Sequence, residues 1–219
     1  MYQHHFISGD AIDLPIGKVV CVGRNYLEHI KELNNDVPKQ PLLFIKPSTA
    51  LCDIQQPIYI PKGHGSCHNE LEIAVLIGER LTNSDEKSAK QGILGLGLAL
   101  DLTLRDVQDQ LKADGQPWER AKSFDSSCPM SNFVPVGDID LERNIQFSMA
   151  VNGKLRQQGN SVHMMHSILS LLVNISQTFT LLPGDIVLTG TPKGVGPLEV
   201  GDDLDIMLID HFSVKTKVI

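Results

Sequence analysis

The length, composition and charge of the chain already exclude several classes of protein. It has 219 residues, of which 42% are hydrophobic and 21% charged, so it can bury a core and is unlike a disordered chain. Its formal net charge of −7 disfavours a general nucleic-acid binder, which needs a basic face. The sequence has no apolar run long enough for a membrane span, no apolar signal-peptide core, and four cysteines without zinc-ligand spacing. We therefore expect a cytoplasmic protein with buried thiols and with no membrane or nucleic-acid partner.

Short apolar runs bounded by Gly, Pro or Asp dominate the sequence and predict strands. The dipeptide Asn152–Gly153 separates two alternating segments and predicts a two-residue type I′ hairpin, because both central positions of that turn require positive φ. The runs do not alternate regularly with helices, which disfavours a doubly wound parallel sheet. The predicted strands cover residues 19–22, 42–45, 71–77, 93–100, 145–151, 186–188 and 204–209.

Three segments have the capping or the periodicity of helices. The first follows Asn25, a good N-cap residue, and the second follows Thr103, with Asp106 completing a capping-box pattern. The third has apolar side chains at helical spacing, which indicates a helix with one face in the core. These segments are residues 26–33, 104–113 and 164–179.

Three acidic residues at apolar strands are candidate metal ligands. Glu70 and Glu72 lie two residues apart in HNELEIAVLIG, so a strand places both on one face, and Ala74 and Leu76 indicate that this face is buried. No Lys or Arg adjoins them, and two carboxylates on a buried face must be protonated, paired or bound to a cation. Asp101 ends another apolar run, where a lone Asp is more often a helix cap. Together the three would form an all-oxygen site suited to Mg²⁺ or Mn²⁺.

Further candidates for the same site come from four other segments. In GRNYLEHIKEL, His29 and Glu32 lie three residues apart, so the carboxylate can orient the imidazole, although such pairs are common on surface helices. Lys122 in PWERAKSFD and Lys46 in PLLFIKP add two cations. The loop at residues 182–197 offers backbone N–H groups and hydroxyls to an anionic group, but it lacks the spacing of a Walker loop.

Taken together, six segments resemble the fumarylacetoacetate hydrolase family, in particular its short single-domain, acylpyruvase-like branch. They are GRNYLEHIKEL, FIKP, HNELEIAVLIG, ALDLTLRDVQ, PWERAKSFD and LPGDIVLTGTPKGVG, in the family's order. The resemblance implies an α+β, predominantly β fold: a mixed β-roll of the family's C-terminal-domain type with flanking short helices, usually assembled as a homodimer. It implies a single catalytic domain over residues 19–219, with residues 1–18 as an N-terminal extension that packs on the core.

The resemblance also assigns roles to individual residues. It implies that His29 and Glu32 form a dyad that activates water, and that Lys122 polarises the substrate. It implies Mg²⁺ as the cofactor, with Mn²⁺ as an alternative and Ca²⁺ as an ion that can occupy the site in crystals. The implied metal ligands are Glu70, Glu72 and Asp101. The residues expected to contact the substrate are Arg24, Asn25, Lys46, Arg105, Gln108, Thr189, Gly190 and Thr191.

From these residues we expect an enzyme that acts on small 2-oxo acids and hydrolyses the C–C bond of a 3-acylpyruvate to pyruvate and a carboxylate. A 2-oxo carboxylate can chelate a cation that stabilises the departing enolate. The same site could decarboxylate oxaloacetate or interconvert its keto and enol forms, because both reactions pass through an enolate. A noncatalytic metal-binding metabolite sensor is the alternative from another class, and the retention of His29, Glu32 and Lys122 argues against it.

Overall fold

The fold is predominantly β with short helices, as a computed structural model describes it for residues 2–141 and 143–219. None of the described helices is long and apolar enough to span a membrane. The described helices are α1 (Leu27–Glu32), α2 (Glu86–Gln91), α3 (Arg105–Ala113), α4 (Glu119–Lys122) and α5 (Ile168–Thr178). The described strands are β1 (Val19–Gly23), β2 (Leu42–Lys46), β3 (Leu51–Asp53), β4 (Cys67–Asn69), β5 (Leu71–Ile77), β6 (Ile93–Leu100), β7 (Thr103–Leu104), β8 (Cys128–Met130), β9 (Val134–Pro135), β10 (Gln146–Val151), β11 (Lys154–Asn160), β12 (Ile186–Leu188), β13 (Gly196–Pro197), β14 (Asp203–Leu208) and β15 (Phe212–Lys217).

A mixed sheet forms the centre of the molecule. Its strands follow the order β2-β1-β12-β5-β6-β8-β3, with β9 pairing to β6. Strand β1 is parallel to β12, whereas β5 is antiparallel to both β12 and β6. Every residue of β5 is buried, because apolar clusters cover both faces of the sheet. This burial explains why β5 and β6 are continuous apolar runs instead of alternating ones. The predicted mixed β-roll with short flanking helices is confirmed.

Two smaller sheets complete the roll. One follows the order β11-β10-β14-β15 and is antiparallel throughout, and the other follows β13-β4-β7. The turn between β10 and β11 has φ of 52° at Asn152 and 74° at Gly153, which confirms the predicted hairpin. Side chains of β10 and β14 join those of α5 and β5 in the larger core cluster. The four-stranded sheet therefore covers one face of the central sheet.

The three predicted helices are present, but the N-caps of the first two differ from those expected. Helix α1 begins at Leu27 with Tyr26 at the N-cap, so the assignment of Asn25 as the cap is wrong. The Asn25 amide instead donates to the carbonyls of Thr189, at 2.8 Å, and His166, at 3.1 Å. These contacts attach the start of α1 to two other loops.

Helices α3 and α5 also begin later than predicted. Helix α3 begins at Arg105, and Thr103 lies in β7 without capping it. The Asp106 carboxylate accepts a hydrogen bond from the Ser66 N–H at 2.6 Å, so it anchors the preceding loop and forms no capping box. Helix α5 begins at Ile168, and the Ser167 hydroxyl caps it. A single polar residue at the right spacing did not distinguish a helix cap from a tertiary contact.

The first residues of the chain pack against the central sheet. Ile12 is buried in the smaller core cluster, and Tyr2 and Phe6 pack against that cluster. The Ile7 N–H donates to the Phe133 carbonyl at 2.9 Å. The face of the sheet opposite the four-stranded sheet is therefore covered partly by the N-terminal segment.

Candidate metal centre and catalytic cavity

Three carboxylates meet at one end of the β5–β6 pair. Glu70 directly precedes β5, Glu72 is its second residue, and Asp101 directly follows β6. The register places Leu71 opposite Leu100, and the Asp101 N–H donates to the Glu70 carbonyl at 2.8 Å. Their carboxylates can present one oxygen each with all three atoms within 4.8 Å of one another. The antiparallel pairing thus gathers residues that lie about thirty positions apart in the sequence.

Three cations contact these carboxylates. Lys122 Nζ lies 2.7 Å from Glu70 Oε2 and 2.6 Å from Asp101 Oδ2. Arg105 donates to Glu70 Oε1, and Lys46 Nζ lies 2.9 Å from Asp101 Oδ1. The expectation that no Lys or Arg lies beside Glu70 and Glu72 is therefore wrong for Glu70. The cations come from β2, α3 and α4, which are distant in the sequence but adjacent in the fold.

The surroundings shift the pKa values of Glu70 and Glu72 in opposite directions. Burial raises the pKa of Glu70, but Lys122 and the other nearby cations outweigh it and hold that pKa well below its usual range. Burial, followed by the charges of Asp101 and Glu70, raises the pKa of Glu72 well above its usual range. The Gly190 N–H donates to Glu72 Oε2 at 2.7 Å, but this bond alone does not compensate. Ionised Glu72 therefore requires further positive charge.

The donor set fits a hard divalent cation. Asp101 Oδ1 is buried and, although it lies 2.9 Å from Lys46 Nζ, it accepts no hydrogen bond of good geometry from any described residue. All the converging donors are carboxylate oxygens, which suit Mg²⁺ or Mn²⁺ better than zinc. Within residues 2–141 and 143–219, the group that could hold a metal ion consists of Glu70, Glu72 and Asp101. These three side chains would hold the cation.

A histidine of α1 lines the same cavity, and a glutamate of α1 contacts that histidine. His29 Nδ1 lies 3.3 Å from Glu32 Oε2, and the His29 residue is 5% exposed. The Gly194 N–H donates to Glu32 Oε1 at 2.9 Å, so the loop at residues 182–197 fixes the position of the glutamate. Because Nδ1 faces the carboxylate, Nε2 is the ring nitrogen available for proton transfer. His29, Glu70 and Glu72 all line one cavity, as expected for a dyad close to a metal site.

Four of the eight predicted substrate contacts line this cavity: Arg24, Arg105, Gln108 and Thr191. Arg24 has a φ of 59° and donates to Asn35 Oδ1 at 2.8 Å. Arg105 donates to Gln108 Oε1 at 2.6 Å, so these two side chains of α3 support each other. The cavity therefore combines the carboxylates with buried or half-buried side chains that carry hydrogen-bond donors.

The other four predicted contacts lie behind the cavity wall: Asn25, Lys46, Thr189 and Gly190. Lys46 is fully buried and donates to the carbonyls of Lys122 and Ser127 and to the Ser127 hydroxyl, besides its ion pair with Asp101. Its ammonium has no donor left for a substrate, so its assigned role is corrected to support of Lys122 and Asp101. Thr189 donates to the Ile73 carbonyl, and Gly190 supplies its N–H to Glu72, so both also support the wall.

Lys112 is a further cation at the cavity, and it is absent from the residues predicted from the sequence. Lys112 follows Arg105 by seven residues and Gln108 by four, so all three lie on one face of α3 and line the cavity. Lys112 Nζ lies 5.5 Å from the centre of the Trp118 ring. Partial burial, followed by the charge of Arg105, lowers the pKa of Lys112. The helical spacing of these three residues could have revealed it.

The β-roll and its buried site define a class of enzyme: one that places a histidine–glutamate pair and a lysine beside a carboxylate group suited to a divalent metal. The chain belongs to the fumarylacetoacetate hydrolase family, because residues 18–219 match the model of the fumarylacetoacetate (FAA) hydrolase C-terminal domain. The resemblance seen in the six sequence segments is thereby confirmed.

Similar proteins include enzymes that act on 2-oxo acids. The chain is 52% identical over 220 residues to oxaloacetate tautomerase YcgM of Escherichia coli (strain K12), covering 100% of both proteins. It is 44% identical over 200 residues to the mitochondrial oxaloacetate tautomerase FAHD1 of Bos taurus, covering 91% of this chain and 90% of that protein. A crystal structure of fumarylpyruvate hydrolase from Pseudomonas aeruginosa in complex with Mn²⁺ and pyruvate is 29% identical, with a TM-score of 0.93, and covers 100% of this chain and 95% of the other. These similarities support an enzyme, and they do not single out a hydrolase.

Proposed function

We propose that the protein interconverts the keto and enol forms of oxaloacetate, with a divalent cation held by the three carboxylates. The tautomerases to which the chain is similar favour this reaction over the acylpyruvate hydrolysis expected from the sequence. The same relatives argue against a noncatalytic sensor. Acylpyruvate hydrolysis remains the second candidate, because the similar fumarylpyruvate hydrolase has this fold.

The charge balance of the site is the observation that carries the proposal. With Glu72 ionised, as a bound cation would make it, three carboxylates contribute −3 and the three cations among them contribute +3, so their formal sum is zero. A divalent cation adds +2, which the two carboxylates of oxaloacetate neutralise. A 3-acylpyruvate with a single carboxylate would leave +1 in a buried site. Arg24 and Lys112 add further positive charge to the cavity wall and also favour a dianion.

The chain's own residues can perform the proton transfer. A bound divalent cation would supply positive charge for the 2-oxo and carboxylate oxygens of the substrate. His29 takes the proton from C3 of the keto form, and the C3–H electrons form the C2–C3 double bond. The protonated His29 then gives its proton to the 2-oxo oxygen, which completes the enol and returns the imidazole to its neutral form. Glu32 stabilises the imidazolium formed in the first of these transfers. Burial alone lowers the pKa of Lys122, but Asp101 and Glu70 outweigh it and raise that pKa, so Lys122 stays an ammonium that stabilises charge on the oxygen.

Replacing His29 by alanine is expected to slow oxaloacetate tautomerisation by roughly 10²-fold or more, the scale of a lost general base. Mn²⁺ affinity should stay unchanged, because His29 belongs to the dyad and not to the carboxylate group. The enol absorbance of oxaloacetate reports the rate, and isothermal titration calorimetry reports the affinity. His211→Ala removes an exposed histidine and should match the wild-type protein.

A panel assay of the wild-type protein with Mn²⁺ separates the candidate reactions. It compares enol loss from oxaloacetate, pyruvate release by decarboxylation, and cleavage of acetylpyruvate. Enol loss should be the fastest of the three. Tautomerisation no faster than with Mn²⁺ alone, together with rapid acetylpyruvate cleavage, would replace the proposal by hydrolysis, and rapid pyruvate release would replace it by decarboxylation.

Lys112→Met is expected to raise the KM for oxaloacetate about fivefold with little change in kcat, because a partly exposed ion pair is worth up to about 1 kcal/mol. Lys112 lies on the same helix face as Arg105, where it can meet the carboxylate of the substrate that is farther from the metal site. Inhibition by oxalate, which lacks such a distal carboxylate, should not change. Equal weakening of oxalate and oxaloacetate would show instead that Lys112 acts on the metal-binding end.

A further inference from the structure

A buried glutamine outside the cavity connects the chain that carries Glu70 and Glu72 with the loop that contacts Glu32. Gln157 lies on β11 of the four-stranded sheet and is 1% exposed. Its Oε1 accepts hydrogen bonds from the Leu71 N–H at 2.9 Å and from Asn69 Nδ2 at 2.8 Å. Its Nε2 donates to Thr191 Oγ1 at 2.8 Å and to the Pro192 carbonyl at 3.0 Å. All four hydrogen-bonding positions of the amide are therefore used.

The orientation of this amide is fixed by backbone groups. The Leu71 N–H can only donate, and the Pro192 carbonyl can only accept, so the oxygen of Gln157 must face β5 and the nitrogen must face the loop. Thr191 donates its own hydroxyl proton to the Leu71 carbonyl at 2.9 Å, which leaves its oxygen to accept from Gln157. No other arrangement of donors and acceptors satisfies these contacts.

The loop that Gln157 holds also holds the dyad. Two residues after Pro192, the Gly194 N–H donates to Glu32 Oε1 at 2.9 Å. The Gly194 carbonyl in turn accepts from Asn69 Nδ2 at 3.4 Å, the same amide group that donates to Gln157. Gly194 has a φ of 99°, and a Cβ there would lie 2.0 Å from the Arg156 carbonyl oxygen. The loop is thus pressed against β11 at the residue before Gln157.

On the other side, Gln157 binds the chain at the metal site. Leu71 is the residue between Glu70 and Glu72, and Asn69 directly precedes Glu70. The pairing of β5 with β6 holds these carboxylates independently of Gln157. Strand pairing does not hold the loop in the same way, because residues 189–195 lie between β12 and β13. Loss of Gln157 should therefore release the loop more than the carboxylates.

We propose that Gln157 is a positioning residue that sets the dyad of His29 and Glu32 relative to the carboxylates by fixing the loop from Thr191 to Gly194. It contacts no reacting atom. Its effect on turnover rests on the proposed tautomerase function, whereas its effect on the loop does not. Removing it should therefore lower kcat while leaving KM and metal affinity nearly unchanged.

The test compares Gln157→Met with Gln158→Met, which removes an exposed glutamine from the next position of the same strand. In the Mn²⁺-loaded proteins, hydrogen exchange of residues 189–196 and 26–33 is measured together with kcat, KM and the Mn²⁺ dissociation constant. In Gln157→Met, the amide hydrogens of these segments should exchange roughly tenfold faster, and kcat should fall roughly tenfold. KM and metal affinity should stay within about twofold of wild type. Gln158→Met should match the wild type throughout.

A second variant keeps the test decisive if Gln157→Met does not fold. Gln157→Glu preserves size and both acceptor contacts, but it offers Thr191 and Pro192 one donor at most, so it should loosen the same loop. The proposal would be overturned if the Gln157 variants exchanged these segments no faster than Gln158→Met does. It would also be overturned if they exchanged faster but kept the wild-type kcat, or if they lost kcat and metal affinity in parallel. If the wild-type protein does not tautomerise oxaloacetate, the proposed function fails, and the exchange data still decide whether Gln157 fixes the loop.

Discussion

Asp101→Asn is expected to weaken Mn²⁺ binding by more than roughly 10²-fold and to abolish oxaloacetate turnover at low metal concentration. Changes to groups around metal ligands already cost roughly 10–100-fold in affinity, and loss of a carboxylate ligand should exceed that range. The amide keeps one oxygen but loses the negative charge that faces Lys46 and Lys122. Calorimetric titration of the protein with Mn²⁺ measures the affinity, and the enol assay measures turnover.

The matched control for this experiment is Asp13→Asn, which changes an exposed carboxylate of the N-terminal segment by the same single atom. It should bind Mn²⁺ as the wild type does. Removal of the metal with a chelator should stop turnover, and added Mn²⁺ should restore it. Full activity in the chelated protein, or wild-type affinity in Asp101→Asn, would show that the three carboxylates are not the metal site.

Lys46→Met should lower the free energy of unfolding by about 3–5 kcal/mol, the usual cost of removing one partner from a buried ion pair. Lys46 is fully buried, and its ammonium pairs with Asp101 and donates to two backbone carbonyls. Methionine fills a similar volume but leaves the Ser127 carbonyl without its lysine donor. Urea unfolding of the metal-free protein, followed by circular dichroism, gives the change.

Two further variants identify the origin of that loss. Lys215→Met removes an exposed lysine of β15 and should leave the unfolding midpoint nearly unchanged. The double variant Lys46→Met/Asp101→Asn should lose less stability than the sum of the single variants, because the two residues interact directly. Additive losses would mean that Lys46 stabilises the fold through its backbone contacts and not through Asp101.

The strands and the carboxylate cluster could be predicted because their signals are local. The continuous apolar runs gave β5 and β6 with the bounds observed, and the period of two residues placed Glu70 and Glu72 on one buried face. Asp101 was predicted from its position at the end of a run. The pairing of β5 with β6 then gathered the three, as an antiparallel neighbour must.

The partners of those carboxylates could not be predicted, because each is set by the tertiary fold. Lys46 lies in a motif that suggested a substrate contact, but in the folded sheet its buried side chain pairs with Asp101 instead. Gln157 lies in a strand, KLRQQGN, with no apolar alternation, so nothing in the sequence indicated which of its two glutamines faces inward. Asn25 and Thr103 have the chemistry of N-caps, but the Asn25 amide donates to the distant Thr189 carbonyl, and the Thr103 hydroxyl donates to the Asp101 carbonyl two residues earlier.

Some expectations from the sequence stay predictions. The homodimer is one, and sedimentation of the protein in solution would test it. The boundary between a short N-terminal extension and the catalytic domain at residue 19 is another, although the contacts of Ile12 and Phe6 show that the first residues belong to the packed core cluster. The choice between Mg²⁺ and Mn²⁺ also stays open to measurement.

The internal ion pairs have a consequence for how the protein is made and maintained. Many small metalloproteins fold only with their ion, since unpaired ligands cannot be buried without it. Here Lys46, Lys122 and Arg105 pair with Asp101 and Glu70. Glu72, whose pKa is raised by burial and by its acidic neighbours, can stay protonated, so the polypeptide can reach its native structure before any metal arrives. At the proposed metal site, the folded protein would then gain and lose its ion without unfolding. A cell that runs short of metal would keep an intact, dormant pool that regains activity without new synthesis.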